Sequence, residues 1–124
     1  MVGRNNWNSY FEQKFDGFFI KPYALEKIEK KHSVYESELE DALDDPCWVI
    51  NKNNKSGPLL PNGVQPEGEV FDIFCETSEG RLLKVVGRLY EGGRFQIITV
   101  LPGNKISINE RQYYIREKEL ICSD

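Results

Sequence analysis

Glu69-Val70-Phe71-Asp72-Ile73-Phe74-Cys75-Glu76, then Arg81 to Tyr90 (RLLKVVGRLY), then Arg94 to Leu101 (RFQIITVL) follow one another with only short breaks. Each run is rich in β-branched and aromatic residues and bounded by turn formers, the pattern of three consecutive antiparallel strands. Gly92-Gly93, between the last two, supplies the positive φ that a two-residue hairpin link needs. That link sets Tyr90 opposite Phe95, Arg88 opposite Ile97, Val86 opposite Thr99 and Val85 opposite Val100. Reading Thr77-Ser78-Glu79-Gly80 as a type I turn closed by a glycine bulge sets Cys75 opposite Leu83, Ile73 opposite Val85 and Phe71 opposite Gly87. Side chains alternate along a strand. One face should therefore hold Phe71, Ile73, Cys75, Leu83, Val85, Leu89, Ile98 and Val100 as core. The other should hold Asp72, Phe74, Lys84, Val86, Arg88, Tyr90, Phe95, Ile97 and Thr99 as an open face, where binding is expected. Lys84 and Arg88 lie four residues apart on that open side, so replacing both should leave stability unchanged.

Upstream, residues 1–14 carry Trp7, Tyr10 and Phe11 without a clear period and are left unassigned, a short helix being one option. Phe15 to Ile20 suits an edge strand, and Pro22 then fits the first turn of a helix. Ala24, Leu25 and Ile28 make Tyr23 to Lys31 amphipathic. Ser33 with Glu36 has capping-box spacing, and Tyr35, Leu39, Ala42 and Leu43 then mark the inner face of a second helix ending before Asp44-Asp45-Pro46. The acidic run Glu36, Glu38, Glu40 and Asp41 reads first as a solvated helix face and second as a docking surface. Cys47 to Ile50 reads as a strand. Residues 51–68, with Pro58, Pro61 and Pro66, read as a long loop. Ser107 and Glu110 repeat the capping-box spacing, which starts a last helix over Ile108 to Leu120 with Tyr114 and Ile115 inward.

At 124 residues and 40% hydrophobic content the chain reads as a single α+β domain, long enough to bury a core. No segment matches a membrane span or a secretion signal, so a cytoplasmic location and no membrane partner are expected. The net charge of −4 argues against binding double-stranded DNA unaided. Charge is uneven, however: residues 80–124 hold 8 Lys and Arg against 5 Asp and Glu. Cys47, Cys75 and Cys122 are odd in number and lack metal-ligand spacing, so they read as reduced structural thiols. Phosphate-loop, nucleophile-elbow and HExxH patterns are absent, and no cofactor or metal is expected.

The order strand, helix, helix, strand, three-strand meander, helix resembles that of RelE-like toxins. Five local features resemble the BrnT family of type II toxin-antitoxin systems. They are Lys31-His32-x-Val34, Asp44-Asp45-Pro46, Glu79-Gly80-Arg81-Leu82-Leu83, Ile97-Ile98-Thr99-Val100 and Glu110-Arg111-x-x-Tyr114. The resemblance implies a RelE-like fold: an antiparallel sheet packed against two N-terminal helices, with a C-terminal helix. It also implies a metal-independent endoribonuclease acting on mRNA or ribosome-associated RNA and neutralised by an antitoxin protein. The chain departs from the family where an arginine is expected in Glu69–Glu76, after the Ile97–Val100 segment, and in the 51–68 insertion. Attack by a 2′-hydroxyl on its phosphate needs a base, an acid and cations. The candidates are Arg88, Tyr90 and His32 for catalysis, with Lys84, Arg81 and Arg111 for RNA contact. A catalytically inactive relative acting as a protein-interaction module remains the alternative.

Overall fold

The computed structural model describes residues 6–53 and 68–122. Residues 54–67, most of the expected proline-bearing loop, lie outside the described residues. The elements run α1 (Asn6–Lys14), β1 (Phe18–Phe19), α2 (Pro22–His32), α3 (Glu36–Leu43), β2 (Val49–Lys52), β3 (Glu69–Glu76), β4 (Leu82–Leu89), β5 (Phe95–Pro102), a 3-10 turn (Gly103–Lys105) and α4 (Ile108–Cys122). The five strands form one sheet in the order β1-β5-β4-β3-β2. The sheet is mixed and not wholly antiparallel as expected, because β1 pairs with β5 in parallel.

The β3–β4 register is the expected one, with Cys75 opposite Leu83, Ile73 opposite Val85 and Phe71 opposite Gly87. Its turn is closed by Thr77 N–H donating to the Arg81 carbonyl (2.9 Å) and Gly80 N–H to the Thr77 carbonyl (2.8 Å). The β4–β5 register agrees at Val85–Val100 and Val86–Thr99, then shifts by one residue between Val86 and Gly87. Beyond the shift Gly87 faces Ile97, Arg88 faces Gln96 and Leu89 faces Phe95, so the expected Tyr90–Phe95 and Arg88–Ile97 pairs do not form. Two features cause the difference. The turn is three residues long, Glu91 to Gly93, with Tyr90 N–H donating to the Arg94 carbonyl and Gly93 N–H to the Tyr90 carbonyl, both at 2.9 Å. Ile98 is then the unopposed residue of a bulge. It points out at 43% exposed, while Phe95 and Ile97 turn into the core.

Two glycines make this arrangement possible. Gly93 adopts φ +95, and a Cβ there would stand 2.4 Å from the Lys14 carbonyl oxygen. The Gly93 carbonyl accepts from Asp16 N–H at 2.6 Å, and Phe95 N–H donates to the Gly17 carbonyl at 2.9 Å, which ties α1 and β1 to the hairpin tip. At Gly87 a Cβ would stand 2.4 Å from the Phe95 ring. That ring occupies the space a side chain would take.

Helices α1, α2 and α3 cover one face of the sheet. Phe11, Ile28, Leu39 and Ala42 pack there on Phe71, Ile73, Cys75, Leu83, Val85, Leu89, Phe95, Ile97 and Val100. Phe11 holds edge-on contacts with Phe71 (5.6 Å) and Phe95 (5.3 Å). Asn8 closes the open edge of β2, accepting from Ile50 N–H (2.8 Å) and donating to the Trp48 carbonyl (2.9 Å). Ser33 is drawn into a left-handed C-cap of α2, its N–H donating to the Glu29 carbonyl at 3.0 Å. The expected Ser33–Glu36 box is therefore replaced two residues on. There the Glu38 carboxylate accepts from Tyr35 N–H at 3.3 Å. Tyr35, as the cap residue, stands outside the helical period and is exposed, not inward.

The opposite face is not open. Helix α4 lies across one end of it, where Tyr114 packs with Val49, Phe74 and Ile106. The expected box at its start is present: Glu110 N–H donates to Ser107 Oγ (3.2 Å) and the Ser107 hydroxyl to Glu110 Oε1 (3.0 Å). Tyr114 is buried as expected, but Ile115, one residue or about 100° further round the helix, is 63% exposed. A Cys47–Cys122 disulfide, with Cα atoms 5.8 Å apart, pins the end of α4 to the segment before β2. This corrects the expectation of three reduced thiols; among them Cys75 is free and buried.

Two tests follow from this packing. Gly87→Ala forces the Phe95 ring and the Gln96 carbonyl apart and should cost about 2 kcal/mol or more, seen as a lower denaturant midpoint at unchanged slope. Reducing the disulfide, whose cysteines are 75 residues apart, should lower stability by about 4 kcal/mol on the chain-entropy relation. Amide exchange should then accelerate first in α4.

Candidate functional site

Lys84, expected to be an exposed phosphate clamp, is held inside the second face. Its ammonium donates to Glu110 of α4 and lies 3.7 Å from Asp72 Oδ2, with the Lys84 side chain only 13% exposed. Asn53 completes the cluster, donating to Asp72 Oδ1 at 2.9 Å. Burial pushes the Asp72 carboxyl above its ordinary value, and the Asn53 and Lys84 contacts offset this only in part. Burial also acts upward on Glu110, but the hydrogen bonds from Lys84 and Ser107 outweigh it and hold the carboxyl below its ordinary range. A second polar group, Glu76, accepts from Tyr114 and, at 2.7 Å, from Lys118. The same balance holds Glu76 low, and burial together with the bond to Glu76 pushes the Tyr114 phenol up.

Arg88 sits further along β4 and is 6% exposed. Gly68 passes against its stem, at such a distance that a Cβ there would lie 2.9 Å from Arg88 Cγ. Arg88 is engaged within the fold. Tyr90 is half-buried, and its hydroxyl donates to Gln96 Oε1 at 2.9 Å. Arg81 is a fastener of the α2–α3 joint: it donates to both Glu38 oxygens (2.8 and 2.9 Å), to the Ser33 carbonyl (3.1 Å) and to the His32 carbonyl (3.3 Å). These bonds draw Glu38 below its ordinary value. His32 lies at that joint, half-buried, with a buried Nδ1 that has no hydrogen-bond partner among the described residues. Arg111 is exposed on α4.

These six residues do not converge. His32 ends α2, on the helical face of the sheet, whereas Arg88 projects from the opposite face. Arg81 and Arg88 stand seven residues apart along β4, about 23 Å at the strand rise. His32 thus lies on the α1–α3 side of the sheet and Arg88 on the α4 side. Among the described residues no group of His, Cys, Asp and Glu has the arrangement of a metal site.

A different feature stands open. Phe18, Phe19, Ile20, Leu39, Leu43 and Ile97 line a groove of about 560 Å³ between β1 and α3, and Glu36, Glu40 and Asp44 rim it. Sequence reasoning missed it because its floor depends on the bulge that turns Ile97 inward and on the parallel seating of β1. The only signal was the acidic run on α3.

No protein-family model matches this chain, and no curated protein matches it in sequence. Among the described residues, no helix is long and apolar enough to cross a membrane.

Lys84→Ala should therefore be destabilising, contrary to the sequence-based expectation. It leaves Asp72 and Glu110 facing each other without their cation, at a cost of about 2–3 kcal/mol, under the usual figure for a broken buried pair because Glu110 is partly exposed. The acid limb supplies a check. Glu110 and Glu76 titrate below their ordinary 4.5 in the fold, so their contribution is complete above that pH and is lost as pH falls through the folded values. Asp72, held high, acts in the opposite sense and gains stability on protonation. Denaturant melts from pH 7 to pH 3 should show the wild type losing stability on acidification, with the Glu110 share of that loss reduced in Lys84→Ala to what the Ser107 hydrogen bonds support.

Proposed function

We propose that this chain is a RelE-like, BrnT-related scaffold that acts as a protein-interaction module and not as a ribonuclease. The scaffold half of this reading is supported by the motifs named above and by the element order. After α1, a helix outside the expected order, two helices, α2 and α3, follow a short strand and precede β2, the β3–β5 meander and a last helix, the order in which the resemblance puts them.

The observation that carries the functional half is how the expected cations are used. Lys84 is bound by Glu110 and Asp72, and Arg81 by Glu38. Arg88 is buried on the face away from His32. Stabilising a phosphorane-like transition state requires cations aimed at an accessible phosphate; Lys84, Arg81 and Arg88 are engaged within the fold, and of the expected cations Arg111 is exposed. The open groove beside α3 offers instead apolar area with a polar rim, which is the composition of a protein-binding surface. The partner that the resemblance implies is an antitoxin protein.

The test is expression in a bacterium while growth and RNA integrity are followed, together with incubation of purified protein with single-stranded RNA. The expected outcome is no growth defect, intact RNA, and Arg88→Ala behaving as wild type. Cleavage by the wild type that disappears in Arg88→Ala would overturn the reading in favour of a RelE-type ribonuclease.

A further inference from the structure

Helix α3 and the two residues that follow it carry their acids in two rows with different fates. Glu38, Asp41 and Asp45 point to the β3–β4 turn and are consumed there. Glu38 binds Arg81, Asp41 Oδ2 accepts from Ser78 N–H (2.7 Å) and from its hydroxyl (2.9 Å), and Asp45 accepts from Glu76 N–H (2.9 Å) and Cys47 N–H (2.8 Å). Glu36, Glu40 and Asp44 form the other row, one position every four residues, all exposed along the rim of the groove. They make no ion pair among the described residues, and the chain has no Lys or Arg between Lys31 and Lys52 to supply one. Three like charges at this spacing destabilise a helix slightly. They sit beside apolar floor residues that are buried (Leu39, Ile97) or half-buried (Phe18, Phe19, Ile20, Leu43).

We propose that this groove binds an amphipathic helix of a partner protein, apolar on one side and bordered by Lys or Arg at four-residue spacing. The proposal rests on the reading of the chain as an interaction module and names the partner chemistry. Rim positions four residues apart rise about 6 Å along α3, and an aligned partner helix presents cations at the same repeat. The floor takes its apolar stripe, which is the helix-in-groove mode. An added β-strand fits less well, because β1 is only two residues long and offers few ladder bonds. Arg94, stacked 4.6 Å from the Phe19 ring centroid, is a cation next to the β1 side of the groove, whereas the α3 side carries the carboxylates.

The probe is a synthetic helical peptide of roughly 15 residues, with leucines at i, i+3, i+4 and i+7 and arginines along one border. A control peptide has glutamate in place of each arginine. Fluorescence anisotropy reads affinity, and amide chemical shifts of the full chain read location. The expected result is that the arginine peptide binds at least tenfold tighter than the glutamate peptide and shifts the amides of residues 18–20 and 36–44. Glu36→Lys/Glu40→Lys, two exposed changes, should reverse the preference between the two peptides while the melting transition stays in place. Equal binding of both peptides, shifts centred elsewhere, or an unchanged preference in the double variant would overturn the proposal. Those results leave the interaction reading standing, whereas RNA cleavage by the wild type sinks that reading whichever peptide binds.

Discussion

One extra residue in β5 governs much of this structure. With Ile98 unopposed across from the Val86–Gly87 step, the strand changes register, and Phe95 and Ile97 swing from the second face into the core. The exchange is favourable because it buries two large apolar side chains and exposes one, and a buried side chain of this kind is worth about 1.5–3 kcal/mol. It is sterically possible only because residue 87 has no side chain, so that the Phe95 ring lies where a Cβ would be. From Phe95 the consequences run outward. The ring packs against Phe11 of α1 and Phe18 of β1, and Ile97 becomes part of the floor of the α3 groove.

The second face shows what happens to charge when a helix closes over it. Lys84, Asp72, Glu110, Glu76 and Lys118 are brought together by the docking of α4, and each is paired. Such pairs hold position more than they add net stability, since desolvation consumes most of the Coulombic gain. They nevertheless withdraw cations from solution. A lysine that must neutralise Asp72 and Glu110 is not available to neutralise a phosphate, and that competition bears directly on function. The Cys47–Cys122 bond adds a covalent limit on how far α4 can lift.

Helix α3 shows the converse. Its carboxylates and those of Asp44 and Asp45 just after it form two rows from one acidic segment, and within the helix the 3.6-residue period separates them. Glu38, Asp41 and Asp45 meet donors from Arg81, Ser78, Glu76 and Cys47. Glu36, Glu40 and Asp44 face the groove. The same residue type is therefore fastening on one side of the helix and surface chemistry on the other.

The sequence by itself determined the meander, the β3–β4 register, the span of α2, the end of α3 before Asp44, and the Ser107–Glu110 start of α4. Local rules decide those features: alternation over eight-residue runs, a proline at a first turn, a hydroxyl and a carboxylate three residues apart. What the tertiary structure decided depends on competition between distant groups. The bulge at Ile98 reflects the fit of Phe95 over Gly87, which no local pattern encodes. Whether the second face was open depended on where α4 docked, and the weak amphipathic pattern of that helix, with Ile108 and Ile115 exposed, did not point to its buried side. The pairing of Lys84 and Arg81 with carboxylates was not legible for the same reason. A basic side chain on a strand has one appearance in sequence whether it meets solvent or a carboxylate from a helix, and only the packed chain supplies the carboxylate.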